Sequence, residues 1–100
     1  MNPKAEALFN TVLEKNERFQ VALKLMNENQ VNYIKSLFEE IQSLKNEKEQ
    51  NEKYIDIAIK HDDYEGELFY EQRACDIVNE IGYNRRLVEE YIKQVIAYES

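Results

Sequence analysis

Between Lys4 and Glu65 the chain contains neither glycine nor proline; Pro3 precedes that stretch, and Gly66 and Gly82 follow it. A sheet protein of this size needs several tight turns, and turns draw on glycine, proline and Asn-Gly or Asp-Gly pairs. Those dipeptides are missing from the sequence, while Glu, Lys, Leu, Gln and Ala recur along it. All three features favour helix. The predicted fold class is all-α, organised as a single helical domain over 1–100.

A helical stripe runs through Ala5, Leu8, Val12, Phe19, Leu23 and Met26, widened at its start by Phe9 and Leu13. It continues in phase through Gln30, Tyr33, Ile34, Leu37, Ile41 and Leu44. The unbroken phase predicts a continuous helix over about 4–45, about 60 Å long at 1.5 Å per residue. A compact 100-residue chain has a radius of gyration of only about 13 Å. Such a helix therefore pairs with a second copy as a coiled coil, a homodimer with Asn16, Gln30 and Asn51 at or near its seam. The alternative is a helical hairpin that folds back at 27–32, where Asn27, Asn29 and Asn32 supply turn chemistry.

Residues 45–53 carry no apolar side chain and predict a solvated helical stretch or a connection. A short helix is expected over 54–59, although Ile55, Ile57 and Ile59 alternate as in a strand. The acidic stretch 61–66 is the clearest break. Two helices are predicted beyond it, over about 67–81 and 84–98. Tyr70, Ala74, Ile77, Val78 and Ile81 form the inner face of the first, and Leu87, Val88, Tyr91, Ile92 and Val95 that of the second. Gly82 is the corner between them.

This spacing is similar to the helix-turn-helix of bacterial and phage DNA-binding regulators. There the corner glycine adopts a left-handed backbone. The resemblance implies a regulator whose groove-facing side carries Asn84, Arg85, Arg86, Glu89, Glu90 and Lys93. The same stretch also resembles the opening of a ubiquitin-associated domain, with Ile81-Gly82-Tyr83 as its recognition loop; that family prefers a small residue where Tyr91 stands. A plainer reading makes Gly82 a helix cap, with Arg85–Glu89, Arg86–Glu90 and Glu89–Lys93 as exposed pairs four residues apart.

Charge decides among the partners. The net charge is −7, and residues 61–100 hold ten carboxylates against four cations. Such a surface repels nucleic acid and anionic membrane within a Debye length of about 8–10 Å. Glu89 and Glu90 would stand where a DNA reader places cations. The expectation is a small acidic, non-enzymatic regulator or adaptor that binds another protein with a basic surface, including one that normally holds nucleic acid. Asp62, Asp63, Glu65, Tyr83, Glu89 and Glu90 are the candidate contacts. On the DNA-binding alternative the contacts are Asn84, Arg85, Arg86 and Lys93.

Chemistry has little to work with. His61 and Cys75 are the only residues of their kinds, fewer than a zinc site needs. Aligning Gly66 with the glycine of a calcium loop puts His61 and Gln72 at ligand positions that demand carboxylates. No phosphate loop or nucleophile elbow occurs, so no cofactor or metal is implied. Cys75 reads as a small core residue. No apolar run approaches the roughly 18 residues of a membrane span, and the opening residues carry no signal-like apolar segment, so a cytoplasmic residence is expected. The abundance of Lys, Glu, Asn, Ile and Tyr resembles an AT-rich genome, such as a low-GC bacterium or its phage.

Overall fold

The computed structural model describes residues 1–99, in which four helices account for nearly every residue. They are α1 (Pro3–Lys15), α2 (Glu17–Leu25), α3 (Glu28–Lys60) and α4 (Tyr64–Glu99). The all-helical expectation stands, but the breaks fall at different places from those predicted.

The continuous helix over 4–45 is corrected first. The chain breaks at Asn16 and again at Met26–Asn27, and asparagine does the work in both. Asn2, Asn16 and Asn27 each cap the following helix by accepting a backbone N–H three residues on: Ala5 at 2.8 Å, Phe19 at 3.0 Å and Gln30 at 2.9 Å. The Gln30 side-chain oxygen in turn accepts the Asn27 N–H at 2.8 Å, completing a reciprocal capping box. Gln20 donates to the Leu13 carbonyl at 2.9 Å and so closes the end of α1. Asn16 and Gln30, read from sequence as seam residues of a dimer, are therefore spent on helix ends.

The second correction concerns the middle and the corner. Residues 54–59 do not form a separate helix; α3 runs through the apolar-free stretch 45–53 to Lys60 without interruption. The break at 61–66 contracts to His61–Asp63, with Gly66 already in the first turn of α4. At Gly82 there is no corner. α4 passes straight through it, and its φ is not positive. Helical φ and ψ are open to glycine at a cost of only about 1 kcal/mol, which continuous packing on either side outweighs. The helix-turn-helix geometry is therefore absent.

Two compact units emerge, one of Met1–Gln42 together with the chain from Asn84 onward, the other Ser43–Tyr83. The first is a helical bundle built on α1, α2, the beginning of α3 and the end of α4. Its centre is an aromatic triad. The Phe9 ring meets Phe19 at 5.2 Å and Phe38 at 5.3 Å edge-on, while Phe19 and Phe38 stack at 5.8 Å. Phe19 and Ile34 are fully buried, with Val88, Ile92 and Val95 closing the core from α4. Phe38 lies outside the stripe read from the sequence, because α3 is contacted from two sides.

The second unit is an antiparallel hairpin of α3 and α4. Leu44, Asn51 and Ala58 are buried at intervals of seven on its first helix, and Ile77 and Ile81 are buried on the other. This is a coiled-coil seam closed within one chain. Asn51, expected at a seam, does lie at one: its side-chain amide donates to the Tyr70 carbonyl. Val78 and Cys75, both read as inward-facing, are exposed. The cause is the number of helices: two helices bury one narrow stripe each, and both residues fall beside it.

Candidate interaction surfaces

The hairpin's turn is built by two aspartates. Asp62 sits in the left-handed region with φ 53°. Its N–H bonds the Ile59 carbonyl at 3.2 Å, and that of Asp63 bonds Ala58 at 2.8 Å. This pair of bonds is the Schellman closure of α3. Asp63 then caps α4, its Oδ1 accepting the Gly66 N–H at 3.0 Å. A Cβ at Gly66 would collide with the Asp63 carboxylate. The first three acidic candidates thus divide by role. Asp62 and Asp63 shape the turn, whereas Glu65 stands free in the first turn of α4.

Around this turn the hairpin leaves large apolar side chains in water. Tyr64 is 76% exposed, Phe69 68% and Leu68 61%, and Tyr54, Ile57 and Ile59 are each about half exposed. Phe69 packs edge-on against Tyr70 at 5.2 Å, and Tyr70 stacks on Tyr54 at 5.1 Å. Between residues 53 and 67 the same end carries Asp56, Asp62, Asp63, Glu65 and Glu67 against only Lys53 and Lys60. A large exposed apolar patch rimmed by polar, here mostly acidic, residues marks an interaction site.

Behind the aromatic residues the hairpin is braced by Arg73. Its Nε and Nη2 reach Glu47 at 2.8 and 2.9 Å in a two-point fork, and its Nη1 reaches Glu80 at 3.4 Å. The side-chain hydrogen bond to Glu47 holds the guanidinium pKa above its ordinary value, against an opposing desolvation. Arg73 therefore stays charged at any working pH. It stiffens the stretch that presents Phe69.

The remaining candidates lie along α4. Tyr83, Arg85, Arg86, Glu89, Glu90 and Lys93 are exposed, while Asn84 is half-buried. Asp62, Asp63, Glu65 and Tyr83 belong to the hairpin, whereas Glu89 and Glu90 belong to the bundle, so the six do not form one patch within either unit. Arg85 and Glu89 instead rim a groove in the bundle, floored by apolar residues of α1, α3 and α4. Sequence reasoning missed Leu68 and Phe69. Their signal was present: two large apolar residues immediately follow a run of charge, where a hairpin end cannot bury them.

Among the described residues no group of three His, Cys, Asp or Glu side chains is arranged to hold a metal ion. No helix of the described chain is long and apolar enough to cross a membrane. In comparisons with protein families, curated proteins and solved structures, the chain matches none.

Proposed function

We propose that this chain is a small non-enzymatic adaptor that binds another protein through the end of its α3–α4 hairpin. The observation carrying this reading is the exposed group Tyr64, Leu68 and Phe69 beside Ile57 and Ile59, rimmed by carboxylates. Aromatic and aliphatic anchors supply most of the energy of such contacts, and surrounding charges set partner and on-rate. The partner surface is an apolar cleft flanked by lysine and arginine. Nucleic-acid-binding proteins carry such surfaces, so the regulatory form of this reading is an inhibitor that occupies one with carboxylates in place of phosphates.

The test compares wild type with the Leu68→Ser, Phe69→Ser double variant in affinity capture from the native host. Both positions are exposed, so the variant should fold normally. A basic protein retained by wild type, lost from the variant, and released between about 50 and 300 mM salt supports the proposal. Retention of the same proteins by both forms defeats it. For an inhibitor, nucleic acid added in excess must also compete the partner away.

A further inference from the structure

The groove in the bundle runs between α1 and α4 over an apolar floor of Val12, Phe38, Ile41, Val88 and Ile92 and has a volume of about 230 Å³. Beyond Asn16, Glu89 and Ile92 it continues into a second depression of about 250 Å³ that is bordered by Arg18 and Lys93. From Leu8 on α1 to Asn16 at its end, and from Arg85 to Lys93 on α4, the walls extend about 12 Å at 1.5 Å per residue. The floor is greasy along this length, and the far end is cationic. Neither Arg18 nor Lys93 forms an ion pair with another described residue. In a chain of net charge −7, this is a place that welcomes a negative group.

We propose that the groove binds an aliphatic carboxylate of about ten carbons, its chain along the floor and its head between Arg18 and Lys93. A polypeptide fits less well. The walls are helices whose backbone groups are already paired, so an extended peptide would leave its own N–H and C=O groups unsatisfied. An alkyl chain has no polar backbone to satisfy, and its carboxylate finds the two cations and the Asn16 amide. Glu89, the one carboxylate on the rim, opposes the head group and is outweighed by the pair.

The probe is sodium decanoate, titrated into the full chain below its micelle concentration in about 20 mM salt. Methyl NMR signals of Val12, Ile41, Val88 and Ile92 report the groove, and those of Ile57, Ile59 and Leu68 serve as controls. Saturable one-to-one shifts confined to the groove are expected. Octanoate should bind about tenfold more weakly, as the loss of two buried methylenes dictates. 1-Decanol should bind at least fivefold more weakly than decanoate. Arg18→Ala with Lys93→Ala, both exposed, should abolish that preference while leaving decanol binding unchanged, and Glu89→Gln should tighten decanoate. The proposal fails if the groove signals do not move, if the hairpin signals move equally, or if decanol matches decanoate in wild type. It also fails if the groove responds only to an acidic amphipathic peptide.

Discussion

The two glycines show how one residue type takes opposite parts. Gly82 sits in an uninterrupted helix with nothing within 4 Å of where a Cβ would stand. Gly82→Ala should therefore raise stability by about 0.5–1 kcal/mol, a rise of several degrees in Tm for a chain of this length. A helix corner at this position would give the reverse, so thermal unfolding of the variant decides between the geometries. At Gly66 the same substitution gains helix propensity but drives the Asp63 carboxylate off its amide, and the loss of a cap of about 1 kcal/mol cancels the gain. Phe19 is the residue that the bundle cannot spare. It is fully buried between two other rings, and Phe19→Ala should cost about 3–5 kcal/mol, measured by urea unfolding.

At the scale of elements, the ends of the helices carry most of the information. Asp62 holds a left-handed backbone that glycine adopts without penalty. Asp62→Gly should stabilise the hairpin by up to about 1 kcal/mol, whereas Asp63→Ala should destabilise it by about 1 kcal/mol through loss of the cap. Opposite signs at adjacent aspartates, read by chemical denaturation, would be hard to explain if both served only as surface charge. The same ends account for what the sequence revealed. The helical class followed from the scarcity of glycine and proline, the break within 61–66 from its acidic composition, and most of the buried stripe from periodicity. The helix end at Asn16 did not, and a break beside Asn27 was read only as the alternative turn at 27–32, because Asn-Glu also occurs at 46–47, 51–52 and 79–80, where the helix simply continues. Asn27-x-x-Gln30 fits a capping box, but so do Ser36-x-x-Glu39 and Asn46-x-x-Glu49, which lie inside α3. Gly82 misled for the complementary reason: glycine permits a corner without requiring one, and Val88, Ile92 and Val95 resume the apolar phase beyond it.

For the whole molecule, the candidate site was the least legible part, and the reason is again packing. Sequence periodicity marks apolar residues without saying how many neighbouring helices exist to cover them. In the bundle, α1 and α2 both cover Phe38; in the hairpin, a single partner helix leaves Leu68 and Phe69 bare. Unequal coverage predicts unequal opening. Amide hydrogen exchange should be slowest around Phe19, Ile34 and Phe38, where three rings and the flanking aliphatic residues close a core. It should quicken along the hairpin towards 58–66, where the seam ends in Ala58 and the three-residue turn His61–Asp63. Asn51→Ala removes the hydrogen bond to the Tyr70 carbonyl and should speed exchange in the hairpin alone. Phe19→Ala should lower protection of the slowest amides, because they exchange through global unfolding. If Asn51→Ala instead accelerated the bundle's slowest amides as much as those of the hairpin, the chain would open as one cooperative body. The exposed apolar end would then be held as firmly as the core, with no local opening of its own to lend to the recognition of a partner.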